Sequence, residues 1–231
     1  MYNLEMTFNR KHLATYIIAG VTTLYWLVQV FTFGSSVATG QNLWNAGALF
    51  GNWIVTVDPG QIWRLITPVF VHLSWMHILL NMFTLVFIGR MIEEIFGSLR
   101  FVGIYFLSSI FAYSCVFFFQ NNTMTAGAST AIFGIFGAIG TLGYFTGDPR
   151  LKEIGKSFIA LIVINLLLNL LQTDVSIVGH IGGVVGGGLL AAIFPPKAYA
   201  KWIPSYVRVL SVMTFVVLLL LFIILPFAGV L

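Results

Sequence analysis

The chain has 231 residues, 59% of them hydrophobic and 8% charged, with a formal net charge of +4. A soluble globular domain carries about 25% charged residues, so water is excluded as the solvent for most of this surface and a lipid bilayer is implied. The 11 Lys and Arg residues are scattered at the ends of apolar runs rather than gathered in a stripe, which excludes nucleic acid as a partner for want of counterion release.

Residues 1–12 are expected to form a cytoplasmic N-terminal segment. The first apolar run, 13–33, follows Arg10 and Lys11 and is long enough to cross a bilayer core of about 30 Å. It reads as a signal anchor that stays in the membrane. A long connection, 34–72, holds Trp44, Trp53 and Trp63, residues that favour the headgroup region. Its apolar content (Leu43, Ala46, Ala48, Leu49, Phe50) predicts a half-submerged helix in the outer leaflet.

Further apolar runs follow at about 73–92, 101–119, 128–146, 157–171 and 175–194. The fifth run in the chain, 157–171, is short, as expected of a tilted or mobile helix. Pro195 and Pro196 end the sixth run, 196–206 is a cytoplasmic linker, and 207–231 carries one more helix. The predicted architecture is therefore an all-α integral membrane protein, with six core helices over 13–195 and a seventh appended.

With the N-terminus in the cytoplasm, every Lys and Arg except Arg64 falls inside, as the positive-inside rule requires. The reverse orientation leaves only Arg64 inside. Seven crossings then put the C-terminus outside. The single Cys115 excludes an intrachain disulfide and reads as a small apolar helix residue.

Polar groups in membrane spans are costly and invite functional hypotheses. Ser129, in Gly127-Ala128-Ser129, opens the fourth run. It reads either as a helix cap or as a nucleophile beside backbone N–H groups able to hold an oxyanion. Gly127 would let backbone or substrate approach closely. His180 lies at a similar outer depth, and Gly183 and Gly187 clear its helix face. Gly134, Gly137, Ala138 and Gly140 cut back the fourth run in the same way. Small faces let membrane helices pack backbone to backbone, which would bring Ser129 and His180 within hydrogen-bond reach. The alternative is that His180 is merely packed and the glycines serve only tight packing.

His77 and Asn81 are four residues apart on one helix face. Two ligands are too few for zinc, so no metal is expected. The pair suits hydrogen-bond donation to an oxyanion. Glu5, Glu93, Glu94, Asp148 and Glu153 lie toward the cytoplasmic side, Asp58 lies in the long loop, and Asp174 reads as the cap of the sixth run. A Ser/His dyad without an acid is the economical arrangement.

In this order the motifs resemble the rhomboid protease family. The family's GxSx nucleophile is matched by Gly127, Ala128, Ser129 and Thr130, and its histidine in a glycine-rich sixth helix by His180. Its HxxxN pattern is matched by His77 and Asn81, with His72 upstream, its Trp-Arg pair by Trp63-Arg64, and its acidic residue before a glycine by Glu93 with Gly97. The resemblance covers about 55–195.

It implies six helices around a water-filled cavity open to the outer face, and hydrolysis of peptide bonds within or beside a substrate's transmembrane helix. Ser129 would attack the carbonyl, His180 would act as general base, and His77, Asn81 and the Ser129 amide would hold the oxyanion. No cofactor is required. The implied partners are single-span membrane proteins with a small residue before the scissile bond. Two departures from the family are Thr130, where glycine is common, and Phe133, where tyrosine often lies beneath the histidine. The fifth run and the segment from Gln172 to Ser176 are expected to form a substrate gate and cap. No mitochondrial presequence is seen, so a prokaryotic plasma membrane is the expected location. Competing classes are a rhomboid-like pseudoprotease that only binds membrane proteins, and a transporter using the histidines.

Overall fold

The computed structural model describes residues 12–170 and 175–229. Among the described residues the secondary structure is helical, with α1 (Leu13–Phe33), α2 (Gly40–Asn45), α3 (Gly51–Thr56), α4 (Trp75–Phe96), α5 (Ser98–Phe119), α6 (Ser129–Phe145), α7 (Pro149–Asn169), α8 (Ile177–Ile193) and α9 (Ser205–Ile224). Several boundaries have local causes. The Ser74 hydroxyl accepts from the His77 amide to start α4, Asp148 accepts from the Arg150 and Leu151 amides to start α7, and Ser176 accepts from the Gly179 amide to start α8. Gly97 has φ +79°, the left-handed conformation that lets the chain reverse sharply from α4 into α5.

Helix α6 is the hub, buried over most of its length, with α5, α7 and α8 packed around it. Large apolar side chains on α1, α4, α7 and α9 point outward, among them Phe31, Phe83, Phe87, Leu167 and Leu220. Such a surface needs lipid rather than water. Among the described residues, four helices are long and apolar enough to cross a membrane: α1 and α9 with their following turns, α4 and α5. The apolar α6 and α8 have 17 residues each, a rise of about 25 Å that falls short of a core of about 30 Å. Helix α9 lies against α5 and α8, with Phe215 stacked on Phe111 at 5.1 Å.

Two expectations need correcting. The fifth long helix is not short: α7 begins at Pro149 and has 21 residues. Arg150, Lys152, Glu153 and Lys156 interrupt the apolar pattern there, but all four are exposed while Leu151, Gly155 and Phe158 face the protein. The long connection is not one half-submerged helix either. It folds as α2, α3 and three 3-10 segments, Gly34–Ser36, Pro59–Leu65 and Thr67–Phe70. Leu43, Ala46, Ala48 and Leu49 are buried in protein, leaving Trp53 and Trp63 as its half-exposed rings. The expected cap at Asp174, most of the expected cap loop and nearly all of the N-terminal segment lie outside the described residues.

Candidate active site

The turn into α6 is held from three directions. The Gly127 amide donates to the Pro68 carbonyl at 2.9 Å, and the Tyr113 hydroxyl donates to the Gly127 carbonyl at 2.8 Å. At the second residue of the helix, the Thr130 and Ser109 hydroxyls are 3.0 Å apart. Gly127 has φ +131°, and a Cβ there would stand 2.8 Å from the His77 ring. Only glycine suits that position. Ala128 is the residue at the N-cap of α6, and no side chain caps the helix. Ser129 is therefore not spent on capping, and the first amides of the helix keep their donor capacity.

The Ser129 hydroxyl lies 2.8 Å from His180 Nε2. The contact exists because α6 and α8 touch backbone to backbone: a Cβ on Gly183 would overlap the Thr130 carbonyl, and one on Gly187 the Gly134 carbonyl. Phe133 stacks under His180 with ring centroids 4.1 Å apart and planes at 11°. The imidazole is thereby fixed in plane as well as in position.

His77 and Asn81 come from α4 on the other side of a cavity of about 390 Å³. That cavity is lined by His77, Asn81, Gln120, Ser129, Ser176 and His180, together with loop residues such as Met124 and Thr125. The Leu73 amide donates weakly to His77 Nδ1 at 3.5 Å, which leaves Nε2 as the protonated, donating nitrogen of a neutral ring. Asn81 donates one amide hydrogen to the His77 carbonyl at 3.0 Å and retains the other. Ser129, His180, His77, Asn81, Gly127 and Phe133 are thus gathered at one place. A hydroxyl paired with an imidazole, with donors across a cavity, is an arrangement able to activate a nucleophile and stabilise an oxyanion.

The other singled-out residues lie around or away from this place. His72 is fully buried, edge-on to His77 at 4.9 Å, and its Nδ1 donates to the Phe70 carbonyl. Burial, and secondarily the neighbouring His77, push its pKa down to about 3, so it is neutral at ordinary pH. The Arg64 guanidinium lies 3.5 Å from the Trp44 ring centre and 4.4 Å from that of Trp63, and donates to the Trp44 and Ala48 carbonyls. Burial lowers its pKa from the ordinary value. Arg64 and Trp63 therefore tie the long connection together and do not line the cavity.

Glu93 sits sixteen residues beyond His77 on α4, about 24 Å along the axis. Its carboxylate accepts from the Ala14 and Thr15 amides, the Thr15 hydroxyl and the Ser98 hydroxyl. It anchors the start of α1 to α4 and α5, far from the cavity.

Asn169 escaped the sequence reading. It is the last residue of α7, it is buried, and its amide reaches His180 Nδ1 at 2.6 Å. The signal was an Asn165-Asn169 pair at helical spacing in an apolar run, polar groups that a bilayer penalises unless they are used. Tyr113 was likewise hidden, because a tyrosine within an apolar helix carries no positional signature until its partner is known.

An all-helical membrane fold with a serine and a histidine joined across a glycine-lined helix contact narrows the class sharply. The chain belongs to the rhomboid family: the family model described as the rhomboid domain matches residues 59–197. The motif resemblance is borne out. The chain is 36% identical over 145 residues to Rhomboid protease GluP of Bacillus subtilis (strain 168), covering 62% of this chain and 28% of GluP. It is 32% identical over 163 residues to Rhomboid-like protease 1 of Toxoplasma gondii, covering 66% of this chain and 55% of that protein. A second Bacillus subtilis protein, YdcA, provisionally named a rhomboid protease, is 28% identical over 197 residues, covering 85% of this chain and 96% of YdcA. The chain spans about a quarter of GluP and about half of the Toxoplasma protein.

Proposed function

We propose that this chain is an intramembrane serine endopeptidase that cleaves peptide bonds within or next to transmembrane segments of other membrane proteins. The observation that carries the reading is the 2.8 Å contact between Ser129 Oγ and His180 Nε2 at the wall of a cavity. The rhomboid protease names of its relatives support the same reaction class.

In this mechanism the Ser129 oxygen bonds to the scissile carbonyl carbon while His180 Nε2 takes the hydroxyl proton. The carbonyl oxygen becomes an oxyanion, held by the Ser129 amide, His77 Nε2–H and the free Asn81 N–H. Collapse breaks the C–N bond as the imidazolium returns its proton to the leaving amine, giving an acyl-enzyme. Water, deprotonated by the same histidine, then releases Ser129. Every proton is accounted for by His180 and water, so the chemistry calls for no metal or cofactor.

The catalytic unit in this reading is 13–195, followed by a linker at 196–206 and an accessory helix at 207–231. The charge distribution supports a cytoplasmic N-terminus, an extracytoplasmic C-terminus and a cavity opening to the outer face of a plasma membrane. The test is activity labelling with a fluorophosphonate or isocoumarin, paired with cleavage of a single-span substrate in liposomes. Both signals should vanish in Ser129→Ala and in His180→Ala. Labelling and cleavage that survive Ser129→Ala would sink the assignment.

A further inference from the structure

His180 is engaged at both ring nitrogens. Nε2 faces Ser129 Oγ at 2.8 Å, and Nδ1 faces the amide of Asn169 at 2.6 Å. Asn169 is 8% exposed and sits at the C-terminal end of α7, so the contact joins α7 to α8 beside the nucleophile. Resting on the assignment of Ser129 and His180 as nucleophile and base, we propose that Asn169 is a positioning residue that selects the tautomer and orientation of His180.

A neutral imidazole carries one N–H, and which nitrogen bears it depends on what the other one meets. To take the Ser129 proton, Nε2 must be bare, so Nδ1 must hold the hydrogen and donate it. Among the described residues, Asn169 is the side chain hydrogen-bonded to Nδ1, and an amide offers both options. With Nδ2 toward the ring, the amide donates to Nδ1, Nε2 keeps its hydrogen, and the imidazole donates to Ser129. That pairing is idle. With the amide turned by 180° in the same space, Nδ1–H donates to Oδ1 and Nε2 is free to accept from Ser129.

The second arrangement wins when the reaction proceeds. The imidazolium formed as Ser129 attacks has hydrogen on both nitrogens, and only Oδ1 can accept from Nδ1–H. Asn169 thus does for His180 what a carboxylate does in triads that contain an acid, without placing a full charge in the membrane. The stacked Phe133 ring fixes the plane of the imidazole, and the Asn169 contact fixes its rotation within that plane.

The experiment uses the full chain in liposomes with a single-span substrate and compares Asn169→Leu, which is similar in size but cannot hydrogen-bond, with Asn169→Asp, a fixed acceptor. Asn169→Leu should lower kcat about 10- to 100-fold with KM unchanged, the range seen when an orienting partner is removed. Asn169→Asp should restore most of kcat and move the acid limb of the pH profile to higher pH, because a carboxylate at Nδ1 favours the imidazolium. Among the described residues, the other titratable group sensed by His180 is His77 across the cavity, while Cys115 of α5 lies against Gly182 on another side of α8, and both are unchanged in these variants.

Selective ¹⁵N-histidine labelling reads the tautomer directly, and it also decides the matter if Asn169→Leu fails to fold. His180 of the unsubstituted protein should carry its hydrogen on Nδ1. A resting Nε2–H tautomer in the unsubstituted protein overturns the inference, as does wild-type kcat in Asn169→Leu. So does a loss of kcat that Asn169→Asp neither rescues nor shifts in pH, since that pattern marks a purely structural residue. Cleavage surviving in Ser129→Ala is a separate result that removes the underlying protease assignment itself.

Discussion

Gly187 of α8 rests directly on Gly134 of α6, leaving no room for a Cβ, and this contact sets the spacing at which Ser129 and His180 meet. Two helices with larger side chains at the crossing would stand farther apart. The hydroxyl and imidazole would then lose the 2.8 Å contact on which the proposed chemistry depends. Gly183 against the Thr130 carbonyl repeats the arrangement one turn nearer the cavity.

Gly187→Val is therefore expected to remove fluorophosphonate labelling and to destabilise the fold by about 1–3 kcal/mol or more, the usual cost of overpacking. Gly103→Ala is the control, because a Cβ there meets nothing within 4 Å. It should leave labelling intact and stability unchanged or slightly raised, as expected of alanine for glycine in a helix. Thermal unfolding in detergent, read beside labelling, separates the two. Equal behaviour of both variants would contradict the packing argument.

His77→Ala and Asn81→Ala should each reduce kcat about 10- to 1,000-fold with little change in KM, as expected when a donor to a developing oxyanion is deleted. Gly127→Ala should behave like His77→Ala, because its Cβ would press on the His77 ring from a backbone angle of φ +131°. Steady-state cleavage of a single-span substrate is the measurement. An effect confined to KM would point to substrate binding instead.

Glu93→Gln should separate stability from catalysis. Its carboxylate accepts four hydrogen bonds that tie α1 to α4 and α5, and an amide can satisfy only part of that set. A loss of about 1–3 kcal/mol is expected, with kcat of the folded fraction unaltered because the site lies at the other end of α4. A selective loss of kcat at undiminished stability would refute this division of labour.

Acid should weaken the fold through His72. The unfolded chain takes up a proton on this residue near pH 6.5, whereas the folded protein refuses it until about pH 3. Its contribution is thus fully present above pH 6.5 and drains as the pH falls toward 3, at up to about 1.4 kcal/mol per pH unit for one proton. Unfolding midpoints measured between pH 4 and pH 8 should show a shallower acid slope in His72→Gln than in the unsubstituted protein. An unchanged slope would mean that His72 is not held neutral by burial.

Much of this was readable in advance, for identifiable reasons. The solvent follows from composition, because so few charged side chains cannot cover so large an apolar surface. The long helices follow from run length, and α1 matches its expected run, 13–33, at both ends. The pairing of Ser129 with His180 was foreshadowed by glycines at i+3 and i+7 from the histidine, a pattern that lies along one helix and needs no knowledge of its partner. The start of α7 was misread because charge on a solvent-facing turn breaks an apolar run without breaking the helix.

What the chain alone determined was therefore whatever is written along a single helix: its solvent, its length, its small face and the polar residues it carries. What only the tertiary structure decided was which of those polar residues share a space. It freed Ser129 from capping, set Arg64 and Glu93 to bracing distant parts of the bundle, and brought Asn169 of α7 to the far nitrogen of His180. The reason is geometric. A hydrogen bond between helices depends on the rotation and separation of both, and these are settled by the sum of all their packing contacts rather than by either sequence segment.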